Sequence, residues 1–263
     1  APMLYIGEKV GLYAKTGGGP EVDIAVDPLE GTSITAKGGP NAMAVVALAE
    51  KGGFLHAPDI YMEKLAIGPG VPEGVVHIDE PPEKNLRELA RAKRVDISDL
   101  VVCLLDRDRH KDRIKACRAA GARIMLIPDG DVSGVVAVSQ PDTGVDIYMG
   151  SGGAPEGVLA AAALRCIGGQ MQGKLLFEDD AQIARAREMG VTDPNRVYHL
   201  NDMAKGDVMF AATGVTTGPM LRGVRRFPNG AYTHSIVMRS KSGTVRFIEG
   251  HHNFALKPSA FVA

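Results

Sequence analysis

Long apolar runs and an excess of either charge are both missing from this sequence. No stretch reaches the roughly 18 apolar residues that are needed to cross a bilayer. Lys and Arg number 30 against 31 Asp and Glu, which gives a formal net charge of −1. This balance argues against a dedicated nucleic-acid binder and gives no sign of a membrane-surface protein. We therefore expect neither a nucleic acid nor a membrane as a partner.

Cysteine is also scarce, and its spacing suits neither a redox motif nor a zinc site. The chain has three cysteines and no CxxC pair. Cys103 falls in a strand-like run, whereas Cys117 and Cys166 fall on the faces of helix-like runs. An odd count without a motif fits a reduced protein with buried thiols. We expect a cytoplasmic location.

The chain is long enough for one large domain or for two subdomains that share a core. From about residue 99 onward, apolar runs of strand length alternate with helical patterns, which is typical of parallel βαβ units. The strands are expected at residues 100–105, 123–127 and 146–149, and the helices at residues 109–120, 131–138 and 155–167. Ligands of such sheets collect where the strands end, here at residues 106–109, 128–131 and 150–156.

The remaining segments have other patterns. Residues 22–26 form a strand-like run, and residues 41–51 predict an alanine-rich amphipathic helix with Asn41 as its N-cap. Taken alone, Tyr61 is an aromatic in a helix, more typical of a core than of a site. Glycine turns between strand-like runs predict an antiparallel meander near the end; the runs are residues 207–212, 235–239 and 244–249. The fold class is therefore α/β, with a mixed sheet beside a parallel βαβ sheet.

The strand-like run at residues 22–26 ends in charge, with Asp27 followed closely by Glu30 and Thr32. Two carboxylates at a strand tip can aim oxygen ligands into one space, and oxygen ligands suit Mg²⁺ or Mn²⁺. Thr32 adds a hydroxyl that could orient or deprotonate a water beside an acid. An Asp-Pro turn with helix-capping residues is an equally good explanation of these residues.

Charge and glycine also follow the strands of the βαβ region. Arg107 and Arg109 stand where guanidinium groups suit a phosphate, although a solvated helix start is the simpler interpretation. Asp129 and Asp131 can accept hydrogen bonds from sugar hydroxyls, or can serve only a turn and a helix cap. Residues 151–156, Ser-Gly-Gly-Ala-Pro-Glu, form either an anion site at a helix start or a plain connection.

Together these groups offer acids for a divalent metal, arginines and backbone N–H groups for phosphate, and short acids for hydroxyls. Such an ensemble predicts a phosphorylated sugar bound together with a metal, and therefore phosphoryl chemistry. The pattern GxxxxGK[ST] is absent, which excludes a P-loop nucleoside triphosphatase.

Residues 27–32, Asp-Pro-Leu-Glu-Gly-Thr, resemble the DPxD/EGT signature of the metal-dependent, lithium-sensitive phosphatase superfamily. More of the chain resembles one branch of it, the bacterial class II fructose-1,6-bisphosphatases. This resemblance extends over essentially the whole sequence and is carried by APMLYIGEKVG, HAPDIYMEKLAIGP, LIPDGDV, GSGGAPEGVLAAAALRC and FAATGVTTGPMLRGV. It implies a layered α-β-α-β-α sandwich of the sugar-phosphatase type.

The resemblance also implies roles for individual residues. Asp27, Glu30 and Glu156 match metal ligands for Mn²⁺ or Mg²⁺. Asp27, Glu30 and Thr32 match the catalytic group around the attacking water. The residues that match substrate-binding positions are Glu30, Gly31, Thr32, Tyr61, Arg107, Arg109, Asp129, Asp131 and Gly153.

On this resemblance we expect hydrolysis of the 1-phosphate of fructose 1,6-bisphosphate, in gluconeogenesis or the Calvin cycle. Sedoheptulose 1,7-bisphosphate, alone or as a second substrate, is the nearest alternative. A catalytically silent sugar-phosphate-binding protein is an alternative of another class. A small-molecule sugar bisphosphate is thus the expected partner, and we expect a homo-oligomer, either a dimer or a tetramer.

The resemblance further predicts how the chain is organised. Residues 1–95 with 196–263 are expected to form a metal-site α+β subdomain, and residues 96–195 an α/β substrate-binding subdomain. It also implies an N-terminal family segment with additional metal-site acids, which would precede Ala1 and is absent from this sequence.

Overall fold

The computed structural model describes residues 21–256, and these form an α/β fold with two six-stranded sheets. The strands of the first sheet are β1 (Val22–Glu30), β2 (Met43–Glu50), β9 (Val208–Gly214), β10 (Arg225–Phe227), β11 (Gly230–Arg239) and β12 (Thr244–Asn253). Their order is β1-β2-β9-β11-β10, with β12 on the free side of β11. Every pairing in this sheet is antiparallel, so the predicted meander is confirmed.

The second sheet is mixed rather than wholly parallel. Its strands are β3 (Tyr61–Ile67), β4 (Val101–Leu105), β5 (Arg123–Ile127), β6 (Ile147–Gly153), β7 (Gln170–Leu176) and β8 (Val197–His199). They lie in the order β5-β4-β6-β3-β7-β8. β4 pairs in parallel with β5 and β6, as the βαβ pattern predicts. β3 comes from before the βαβ region and pairs antiparallel with both of its neighbours, β6 and β7.

Seven helices connect these strands within the described residues. They are α1 (Thr32–Ala36), α2 (Pro82–Lys93), α3 (Lys111–Ala119), α4 (Asp131–Ala137), α5 (Ala154–Ile167), α6 (Asp180–Glu188) and α7 (Leu200–Met203). α5 contacts strands of both sheets, and α4 packs beside it. α2 and α3 pack on the outer face of the second sheet. The described residues thus supply four of the five layers of the predicted sandwich.

The composition of α5 suits its place between the sheets. Ten of its 14 residues are buried, among them the alanines at positions 160–163. Small side chains allow both sheets to approach the helix closely, and burial on all sides explains why the segment is apolar all round. The N-terminus of this helix points to the edge where β4, β5 and β6 end, which brings Glu156 to that edge.

One predicted helix is wrong: residues 43–50 form strand β2. The segment MAVVALAE carries apolar residues at both the helical and the strand period, and alanine favours the helical interpretation. In the fold, alternate residues from Met43 to Ala49 are buried, and the strand lies between β1 and β9. Burial on a sheet face therefore overrides the intrinsic helix propensity. Asn41 is not an N-cap but a left-handed turn residue with φ 78°.

Two further local predictions are corrected. Tyr61 begins β3 and is not in a helix; it pairs with Gly153 of β6. β1 does not stop at Val26 but runs on through Asp27 to Glu30.

The three cysteines are free and buried, as predicted. No helix in residues 21–256 combines the length and the apolar character that a membrane crossing requires. The division into two subdomains remains a prediction; β3, which belongs to the expected first subdomain, pairs within the second sheet. The motif APMLYIGEKVG lies outside the described residues.

Candidate active site

The predicted site residues meet around one cavity of about 470 Å³. The parallel strands β4, β5 and β6 all end at its edge, and β3 starts there because it runs antiparallel to β6. The tip of β1 approaches from the first sheet. The predicted residues that line the cavity are Asp27, Glu30, Gly31, Thr32, Tyr61, Arg107, Arg109, Asp129, Asp131, Gly153 and Glu156.

An irregularity in β1 turns the Asp27–Thr32 segment toward this cavity. The register between β1 and β2 shifts between Asp27 and Glu30. The backbone N–H of Leu29 donates to Asp27 Oδ1 at 2.9 Å, which fixes that carboxylate. Gly31 then takes a left-handed conformation with φ 83°, which favours glycine. Thr32 follows as the first residue of α1, at the cavity wall.

Glu30 is a buried carboxylate with only 2% exposure. Its Oε1 accepts a hydrogen bond from the Val132 N–H at 2.9 Å. Burial raises the pKa of Glu30 well above its usual range, and the carboxylates of Asp131 and Asp27 raise it further. Burial likewise raises the pKa of Glu156, and Asp131 and Asp27 add to that rise too. The site therefore concentrates negative charge where water is scarce.

We call Asp27, Glu30 and Glu156 the acidic side of the cavity. Their ligand atoms are all oxygen, and the mutual repulsion of the carboxylates would be relieved by a cation, so the donor set fits a hard divalent metal. In residues 21–256, however, no three His, Cys, Asp or Glu side chains are arranged to complete a metal site. The acidic side thus supplies part of a ligand set.

Gly153 leaves room for the side chain of Glu156. A Cβ atom on Gly153 would overlap Oε2 of that carboxylate, so a larger residue would require the flexible glutamate side chain to shift. Gly153 ends β6 and caps α5, and Glu156 lies in the first turn of that helix. The Gly-Gly-Ala-Pro-Glu segment therefore positions a carboxylate at the cavity.

Arg107 and Arg109 form the basic side of the cavity. Arg107 donates to the carbonyl oxygen of Pro128 and, at 3.4 Å, to Asp129 Oδ1. Arg109 donates to the carbonyl of Ser151 at 2.7 Å and to its hydroxyl at 3.0 Å. Its guanidinium also stacks over the ring of Tyr61, 4.8 Å from the centroid. Both cations are therefore held in place by the protein before any ligand binds.

A sequence model of the family described as bacterial fructose-1,6-bisphosphatase, glpX-encoded, matches residues 1–252. The chain belongs to this family. It is 47% identical to the D-fructose 1,6-bisphosphatase class 2/sedoheptulose 1,7-bisphosphatase of Synechococcus sp. strain JA-2-3B'a(2-13), over 96% of this chain and 78% of the relative. The protein of the same name from Synechococcus elongatus is also 47% identical, over 97% of this chain and 79% of the relative.

This member of the glpX-type family contains a histidine that the sequence interpretation missed. His110 is buried, and its Nδ1 lies 2.9 Å from the carbonyl oxygen of Leu105. Its Nε2 accepts a hydrogen bond from the Ser151 N–H at 2.9 Å. Burial lowers the pKa of His110, which favours the neutral ring that these contacts need. The histidine thus fixes Ser151, which in turn holds Arg109.

A buried lysine was also missed. Nζ of Lys64 donates to Asp131 Oδ2, and the lysine side chain is 0% exposed. The sequence predicts a helix around Tyr61 and Lys64, so it gives no sign that this lysine contacts an acid of the cavity. Only its strand position in β3, beside β6, brings it there.

Proposed function

We propose that this chain hydrolyses the 1-phosphate of fructose 1,6-bisphosphate to fructose 6-phosphate and inorganic phosphate. The observation that carries the proposal is that one cavity is lined both by the acids Asp27, Glu30 and Glu156 and by the cations Arg107 and Arg109. A sugar with a phosphate at each end needs two such places: one that holds a phosphate and one that reacts. The family and the names of the relatives support this choice of substrate.

The acidic side is proposed as the reacting end. The family implies a divalent metal, and we propose Mg²⁺ or Mn²⁺, held by Asp27, Glu30 and Glu156 with ligands from outside residues 21–256. When bound, such a metal lowers the pKa of water and offsets charge on the transferring phosphoryl group. Thr32 orients or deprotonates the attacking water, and Glu30, Gly31 and Thr32 lie against the phosphate. The water oxygen attacks phosphorus in line and gives up a proton, the bond between phosphorus and the C1 oxygen breaks, and the C1 oxygen takes up a proton.

The basic side is proposed as the anchor. Arg107 and Arg109 hold the 6-phosphate, for which guanidinium groups are well suited. Asp129 and Asp131 accept hydrogen bonds from the sugar hydroxyls, and Gly153 and Tyr61 contact the sugar. Binding energy gained away from the reacting bond then places the 1-phosphate in line with the water.

Sedoheptulose 1,7-bisphosphate is the second candidate substrate, because both relatives described above carry that activity in their names. It needs the same two phosphate sites with one more carbon between them. The cytoplasmic location and the homo-oligomeric state, dimer or tetramer, that the sequence predicts are proposals as well.

Phosphate release from both bisphosphates, with Mn²⁺, with Mg²⁺ and after chelation, tests the proposal. We expect release from fructose 1,6-bisphosphate that depends on the added metal, and comparison of the two substrates decides between single and dual activity. Absence of release with either metal, combined with calorimetric binding of fructose 6-phosphate, would identify a silent sugar-phosphate-binding protein instead.

A further inference from the structure

Lys64 is the only buried lysine in residues 21–256. It lies in β3, near the middle of the second sheet, and its side chain has no exposed surface. An ammonium group taken out of water is costly unless it is paired. Its partner is Asp131, whose Oδ2 accepts a hydrogen bond from Nζ. The fold therefore holds this lysine against an acid that lines the cavity.

Two glycines leave the space that this ion pair occupies. A Cβ atom on Gly152 would overlap Oδ2 of Asp131 and would lie 3.3 Å from Nζ of Lys64. A Cβ atom on Gly157 would lie 3.2 Å from Cε of the same lysine. Gly152 belongs to β6 and Gly157 to α5, so the room is made by two elements that both border the cavity. Glycines of two neighbouring elements thus leave room for the ion pair.

The two oxygens of Asp131 are in different situations. Oδ2 is bonded to Lys64, whereas Oδ1 accepts no hydrogen bond from the described residues. Asp131 is the first residue of α4 and lines the cavity with 6% exposure. We infer that Lys64 is a positioning residue: it holds Oδ2 of Asp131 and thereby presents Oδ1 to a sugar hydroxyl of the substrate. This inference rests on the function proposed above.

Lys64→Met tests the inference, because methionine is about as long as lysine but cannot hold the carboxylate. If Asp131 loses its orientation, KM for fructose 1,6-bisphosphate should rise about tenfold or more, with a smaller change in kcat. A purely structural role of Lys64 predicts the opposite pattern, in which kcat falls with the folded fraction and KM stays constant. That second pattern would overturn the inference.

A double-mutant cycle with Asp131→Asn gives an independent test. Lys64→Met with Asp131→Asn removes both buried charges, so this variant is informative even if Lys64→Met alone fails to fold. If Lys64 acts through Asp131, the double variant should have the KM of Asp131→Asn. A further rise in KM that multiplies the two single effects would contradict the inference.

The matched control is Lys174→Met, which removes a lysine from the neighbouring strand β7. Lys174 pairs with Asp79, away from the cavity, and its loss should leave both kinetic constants unchanged. Phosphate release by the unmodified protein, measured alongside, tests the proposed function separately. Without such release the proposed function fails, and the cycle is read instead from the calorimetric Kd of fructose 6-phosphate. If the unmodified protein releases phosphate but the KM effects of the two substitutions multiply, only the proposed role of Lys64 is overturned.

Discussion

The acidic and the basic side of the cavity are built in opposite ways. On the basic side, Arg107 and Arg109 donate to carbonyl and hydroxyl oxygens of the protein and remain partly exposed. On the acidic side, burial and mutual repulsion raise the pKa values of Glu30 and Glu156. The protein itself therefore satisfies the arginines by hydrogen bonds. The carboxylates, by contrast, would be stabilised by a bound cation.

This difference assigns different tasks to the two sides. A preorganised cation pair suits recognition, because the same phosphate contacts persist in the ground state and in the transition state. Carboxylates that repel one another are costly in the free protein and become favourable only when a cation joins them. The chemistry is thus expected on the acidic side, and substrate affinity on the basic side.

Glu30→Gln should have the largest effect on the acidic side, because it removes a buried charge from the proposed metal site while keeping the shape of the side chain. We expect loss of phosphate release by about a thousandfold or more, while fructose 6-phosphate still binds to the basic side. Phosphate-release kinetics and calorimetry measure the two effects. Glu50→Gln, an exposed acid at the end of β2, is the control and should change neither. Near-normal turnover in Glu30→Gln would remove Glu30 from the metal site.

Gly153→Ala should act on the acidic side without changing any charge. The added methyl group would overlap Oε2 of Glu156, so the carboxylate must move. We expect kcat to fall roughly a hundredfold, since misplacement by about 1 Å can have such an effect. In a Glu156→Ala background, Gly153→Ala should lower kcat no further. Equal losses in both backgrounds would show that the glycine acts by another route.

Arg109→Lys should weaken the basic side and leave the chemistry largely intact. Lysine keeps the charge but cannot donate to both oxygens of Ser151 while it stacks on Tyr61. We expect KM for fructose 1,6-bisphosphate to rise about tenfold, with kcat changed less. Arg118→Lys, on an exposed position of α3, is the matched control. A fall in kcat at constant KM would place Arg109 with the reacting groups instead.

The smallest effect is expected on stability, as a function of pH. A carboxyl group with a raised pKa in the folded state stabilises the fold below its ordinary pKa, and this contribution is lost as the pH rises through the raised value. Without metal, Glu30→Gln should therefore melt about 3 °C above the wild type at pH 8. The difference in Tm should shrink toward pH 5. A difference that does not vary with pH would mean that Glu30 is not strained in the metal-free protein.

Much of the site could be predicted because parallel strands end at one edge. Once residues 100–105, 123–127 and 146–149 are recognised as βαβ strands, the charges that follow them must lie close together. The position of Asp27 and Glu30 at a strand tip suggests a metal site from the residues themselves, the family resemblance adds Glu156, and all three roles remain proposals. The position of Tyr61 at the same edge could not be derived, because the sequence interpretation assigned it to a helix.

Other features lacked any local signal. The alanine-rich segment of β2 fits a helix as well as a strand, and only the neighbouring strands β1 and β9 decide the matter. Lys64 and His110 look like ordinary polar residues in the sequence. Their burial depends on contacts with Asp131 and Ser151, which are more than forty positions away in the chain.

The sequence by itself determined the α/β class, the parallel strands and the family, because short-range periodicity and a chain-long resemblance carry that information. The tertiary structure alone decided which charges meet and in what state. The shifted register of β1 and the glycines of β6 bring Asp27, Glu30 and Glu156 to one cavity. Burial of Glu30, and of the lysine beside Asp131, is a property of packing between the sheets, which no local pattern encodes.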